Sequence, residues 1–95
     1  MNSEIEVHTD ERSLLPGQEG VTFNAYVDGH KVECVITGIA LKSQFKDPDK
    51  PIMEIFADNQ DVIGSMATFL ISARPERVDG AVVIRAEDLK DFLTV

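Results

Sequence analysis

Apolar and polar positions alternate most regularly between Val21 and Thr37, in the stretch VTFNAYVDGHKVECVIT. Asp28-Gly29 sits at the centre of that alternation. A two-residue Asp-Gly link between alternating runs predicts a β-hairpin, because both residues tolerate the positive φ of a type I′ turn. With the turn there, Val27 faces His30, Ala25 faces Val32, Phe23 faces Cys34 and Val21 faces Ile36. The last three pairs fall on one apolar face. Turn chemistry and apolar pattern fix the same register independently, and a one-residue slip would turn every side chain over. The opposite face carries Thr22, Asn24, Tyr26, Lys31, Glu33 and Val35 and is expected to be mostly solvated.

The flanking pattern is weaker. Ile5 and Val7 alternate with Glu4, Glu6 and His8, which predicts a short edge strand whose charges suit an edge. TDERSLLPGQEG then reads as a polar loop turning at Pro16-Gly17, with Leu14 and Leu15 expected to pin it onto the body. After the hairpin, Thr37 suits the N-cap of a short helix with Ile39, Leu41 and Phe45 roughly on one side. KDPDKP breaks that helix. Pro48 and Pro51 each suit a new first turn, with Asp47 or Asp49 as cap, and the sequence leaves the choice open. From Pro51 to Ala73, apolar residues recur at steps of three and four, through Ile52, Ile55, Phe56, Val62, Ile63, Met66, Phe69, Leu70 and Ala73, with Asn59 on the same stripe. This predicts one long amphipathic helix, ended by Arg74 and Pro75. Gly64 within it marks either a close approach to the sheet or a bend. Asp79-Gly80 signals a second turn. AVVIR is a short strand with either Val82 and Ile84 or Val83 inward, and AEDLKDFL is a last helix with Leu89, Phe92 and Leu93 apolar.

The implied order is strand, strand, strand, helix, helix, strand, short helix. That is an α+β two-layer sandwich, a small antiparallel sheet covered on one face by the long helix. The 95 residues are expected to form a single domain, 1–95, with an N-terminal edge strand and polar loop over 1–20 and the main body over 21–95.

Composition narrows the function. The formal net charge is −8, which repels phosphate backbones, so direct nucleic-acid binding is not expected. No apolar run approaches the roughly 20 residues that span a bilayer, and the first residues lack the basic-then-apolar pattern of a signal peptide. A lone cysteine excludes an internal disulfide. A cytoplasmic protein is expected.

Candidate chemistry is sparse. Cys34 falls on the core face opposite Phe23, where a thiol acts as a small hydrophobe rather than a nucleophile. His8 lies near Asp10 and Glu11, and His30 beside the turn, but neither belongs to a zinc-ligand spacing. No catalytic residue, cofactor or metal site is therefore assigned. The most distinctive surface feature is the acidic row Glu54, Asp58 and Asp61, opposite the apolar stripe of the long helix. A solvated face explains it most simply; a docking face for a basic partner is the functional alternative. There is no glycine-rich phosphate loop, no Gly-x-Ser-x-Gly elbow and no Cys-x-x-Cys.

The hairpin block resembles the small bacterial family catalogued as domain of unknown function 1488. The resemblance rests on Phe23, Ala25, Val27, Gly29, Val32, Cys34, Ile36, Ala40, Leu41 and Phe45, and extends through Ile55-Phe56, Ile63, Asp79-Gly80, Val82, Ile84 and Asp88-Leu89. One departure is Asn59-Gln60, where relatives often carry a His-Arg pair. The resemblance implies an α+β fold in a bacterial cytoplasm and transfers no catalytic residue. Three functions are weighed. The first is a non-enzymatic protein-binding or regulatory domain, with self-association open through the edge strand or long helix. The second is an acidic nucleic-acid mimic that occupies a basic partner. The third is a small enzyme or ligand-binder whose site forms between subunits.

Overall fold

The computed structural model describes residues 4–46, 48–73 and 81–93. Strands β1 (Ile5–Leu14), β2 (Gly20–Val27) and β3 (His30–Thr37) precede helices α1 (Gly38–Gln44), α2 (Ile52–Asp58) and α3 (Gln60–Ala73). Strand β4 (Val82–Ile84) and helix α4 (Ala86–Leu93) follow. The four strands form one sheet in the order β1-β2-β3-β4. The α+β class and the helix-on-sheet packing are as the pattern implies.

The hairpin has the register read from its turn: Val27 opposite His30, Ala25 opposite Val32, Phe23 opposite Cys34 and Val21 opposite Ile36. Asp28 and Gly29 both take positive φ, 51° and 84°, as a type I′ turn requires. Asp28 also secures the start of β1. Its N–H donates to the Glu4 carbonyl at 2.9 Å, and its Oδ1 accepts from the Glu4 N–H at 3.0 Å.

One face of the sheet is dry. Val21, Phe23, Ala25, Cys34, Ile36, Val82 and Ile84 are buried there. Helix α2 sets Phe56 against Phe23, ring centres 5.4 Å apart. Helix α3 lies over β1, with Gly64 facing Val7 and Thr9. Thr37 caps α1, its Oγ1 accepting from the Ala40 N–H at 3.1 Å, and so turns the chain from β3 into the helical layer.

Four expectations need correction. The sheet is mixed rather than antiparallel, because β4 runs parallel to β3. A chain that leaves β3, crosses through α1, α2 and α3 and then re-enters the sheet can run in the same direction; only a tight hairpin enforces the reverse. Second, the long helix is two helices. Asn59 has φ −124° and ψ 21°. Its Nδ2 donates to the Ile55 carbonyl at 2.8 Å, the acceptor its own N–H would use in a continuous helix. That N–H turns instead to Phe56 at 3.1 Å, and the Asn59 carbonyl starts α3 by accepting from Ile63 at 3.0 Å. An Asn side chain competing for a backbone carbonyl is the physical cause of the break. Gly64 marks the close approach and not the bend. Third, no side chain caps α2, whose N-cap position is Pro51, so Asp49 does not serve; Asp47 lies outside the described residues. Fourth, TDERSL is strand rather than loop. β1 continues to Leu14 through a bulge, pairing His8 with Asn24 and then Ser13 with Thr22.

Val82 and Ile84, rather than Val83, face inward. Leu89 is buried and Phe92 packs at the edge of the core. Phe69 and Ala73, assigned to the apolar stripe, are exposed, and Phe69 instead rests against Phe92 with ring centres 6.0 Å apart. The Asp79-Gly80 turn and the Arg74-Pro75 stop lie outside the described residues.

Candidate functional site

Among the described residues, the bulge in β1 gathers the densest set of polar contacts. Four residues, Thr9 to Arg12, stand opposite the single residue Phe23 of β2. Bulges re-aim side chains, and here they aim them to both faces of the sheet. On the helical side, Thr9 Oγ1 donates to Gln60 Oε1 at 3.1 Å. Arg12 Nη1 donates to the Thr9 carbonyl at 3.0 Å, and its guanidinium carbon sits 5.6 Å from the centre of the Phe56 ring.

On the open side, Glu11 Oε1 accepts from Asn24 Nδ2 and from the Tyr26 hydroxyl, each at 2.9 Å. Its Oε2 lies 3.3 Å from His8 Nδ1. The His8 and Tyr26 rings meet edge to face, 4.8 Å between centres and 71° between planes. The hydrogen bonds from Asn24 and Tyr26 hold the Glu11 carboxyl below its ordinary range. The same bond to Glu11 pushes the Tyr26 phenol up. These bonds tie the Glu11 side chain across the bulge to β2.

A second feature is an open apolar groove of about 780 Å³ between the Pro16–Gln18 turn and α1. Leu14, Leu15, Pro16, Ile39, Lys42 and Ile52 line it. Ile39 is 77% exposed and Leu14 47%. The sequence pattern places Leu14 against the body and Ile39 on one helix side with Leu41 and Phe45. Instead, Ala40 and Leu41 occupy the inner side of α1, which leaves Ile39 outside.

The residues singled out by sequence are dispersed. Cys34 is fully buried, its Sγ 3.8 Å from the Val32 carbonyl. His30 is exposed beside the turn. His8 meets Glu11 and, at 3.9 Å, Glu6, on an open face rather than in a cleft. Glu54, Asp58 and Asp61 are all exposed, but the break at Asn59 separates Asp61 from the other two. Asp58 pairs with Lys50 at 2.7 Å. Among the described residues, no three His, Cys, Asp or Glu side chains are grouped to hold a metal ion. None of their helices is long and apolar enough to cross a membrane. The sequence pattern alone does not reveal Glu11, Asn24 and Tyr26 as a cluster. The hairpin register already placed Asn24 and Tyr26 side by side on the open face; only the continuation of β1 past the bulge was missing.

A mixed four-stranded sheet with helices packed on it defines a small α+β protein. Over residues 8–84 the chain matches the family described as Protein of unknown function (DUF1488), and it belongs to that family. The matched span runs from His8, just before the bulge, to the end of β4. No curated protein and no solved structure matches the chain.

Proposed function

We propose that this chain is a non-enzymatic protein-binding domain, and that its docking surface is the groove between the Pro16–Gln18 turn and α1. The observation that carries this reading is the exposure of two large apolar side chains, Ile39 and Leu14, on one depression. Fully burying such a side chain is worth about 1.5–3 kcal/mol, so a partner that covers both gains affinity at once. Both sit on secured backbone: Thr37 caps the helix that carries Ile39, and the Leu15 N–H donates to the Gly20 carbonyl at 2.9 Å beside Leu14. The occupant is a protein segment with apolar anchors flanked by basic side chains. The net charge of −8 favours such a partner, and Glu54, Asp58 and Asp61 supply exposed negative charge on the neighbouring helices. Lys42 lends its aliphatic stem to the groove and keeps its ammonium in water.

The test compares proteins captured from an extract of the native cell by wild type, by Ile39→Asp and by the double variant Glu54→Gln/Asp61→Asn. Ile39→Asp is an exposed change in a first helical turn, where an acid is tolerated. The expected result is a set of basic proteins held by wild type, lost with Ile39→Asp, and weakened at low salt by the double variant. Equal capture by wild type and Ile39→Asp overturns the groove.

A further inference from the structure

We infer that the bulge Thr9–Arg12 is a mechanical link between the open face of the sheet and the junction of α2 with α3. It has no register partners in the β1–β2 pairing, which shifts between His8 and Ser13. Side chains on both faces hold it. On the open face, Glu11 ties it to Asn24 and Tyr26. On the helical face, Thr9 ties it to Gln60 and Arg12 lies on Phe56. The bond from Arg12 Nη1 to the Thr9 carbonyl joins the two ends of the segment.

The receiving element is suited to respond. Gln60 opens α3 directly after Asn59, where backbone bonding is already irregular and one helical bond is replaced by a side chain. A few extended residues clasped from both sides transmit displacement because packed contacts shift between discrete arrangements rather than stretch. A cationic group that takes the Glu11 carboxylate from Tyr26 and Asn24 therefore loosens the hold of Thr9 on Gln60, and with it the first turn of α3. Linkage makes the effect reciprocal: releasing Gln60 must be felt at Asn24 and Tyr26, on the far side of the sheet.

The test is NMR on the full chain, wild type against Tyr26→Phe, Glu11→Gln and Gln60→Ala, with Glu33→Gln as an open-face control outside the clasp. Tyr26→Phe and Glu11→Gln are expected to shift the Gln60 side-chain amide and to raise amide exchange severalfold at Ile63 and Gly64. Exchange at Phe23 and Cys34, in the core, should hold steady. Gln60→Ala is expected to shift the Asn24 side-chain amide, and Glu33→Gln to leave all of these in place. Changes confined to the open face overturn the link. So does a uniform rise in exchange across the chain, which would report loss of global stability alone.

Discussion

Gly64 and Gly20 look alike in sequence and meet opposite constraints. A Cβ at Gly64 would sit 3.9 Å from Thr9 Cγ2 and from Val7 Cγ1, ordinary contact distances. Gly64→Ala therefore removes the helix penalty of glycine without overpacking, and is expected to stabilise the fold by about 1 kcal/mol. A Cβ at Gly20 would lie 2.6 Å from the Ile36 carbonyl oxygen, a backbone atom held in the β2–β3 ladder. Gly20→Ala is expected to cost about 1–3 kcal/mol, as overpacking does. Urea midpoints for the two variants, moving in opposite directions, check both statements. At this scale the sequence was most informative where two signals coincided. Cys34 and Phe23 could be placed opposite each other inside the core because a turn and an alternation agreed on the register. Ile39 had only a loose helical spacing behind it, and its neighbours Ala40 and Leu41 took the inner face.

Elements were legible to the extent that their causes are local. Thr37 could be named as a cap because capping needs only one hydroxyl three residues before a free N–H. Thr37→Ala is expected to lower stability by about 1 kcal/mol in thermal or urea unfolding. The second half of β1 was not legible, since Asp10, Glu11 and Arg12 in succession abolish the period-two pattern on which strand recognition rests. Nor was the break at Asn59, because the apolar spacing carries on through it while the backbone does not. The Glu11 cluster was invisible for the first of these reasons, and it carries a pH signature. Glu11 has a lowered folded-state pKa, so its stabilising contribution is fully present above its ordinary value of 4.5 and is lost as pH falls through the folded value. Tyr26 is raised, so its contribution is present below its ordinary value of 10.0 and is lost as pH rises through the folded value. Between these limits the clasp is intact. Thermal unfolding of wild type and Glu11→Gln across the acid range should show a wild-type advantage at neutral pH that shrinks below about pH 4.5. An advantage independent of pH would assign the clasp to shape alone.

For the whole molecule the dominant fact is charge. The chain carries a net −8, while every residue buried among those described is apolar or glycine. The charges therefore lie at or near the surface, where salt can screen them. Their spread is set by a radius of gyration of 12.7 Å. The Debye length falls from about 30 Å at 0.01 M salt to about 3 Å at 1 M. Across that range, repulsion goes from reaching over the whole body to reaching nearest neighbours only. Folding concentrates like charge, so screening removes a cost that weighs more heavily on the folded state than on the expanded chain. Salt also weakens attraction, and the exposed Lys50–Asp58 pair is the clearest case. Such a pair is worth about 0–1 kcal/mol and does not reverse the balance. Sodium chloride is accordingly expected to raise the unfolding temperature monotonically from low to moderate concentration. Chloride is the appropriate choice because sulfate would strengthen apolar burial by a separate route. A fall in unfolding temperature with added sodium chloride would mean that attractive pairs outweigh the net repulsion.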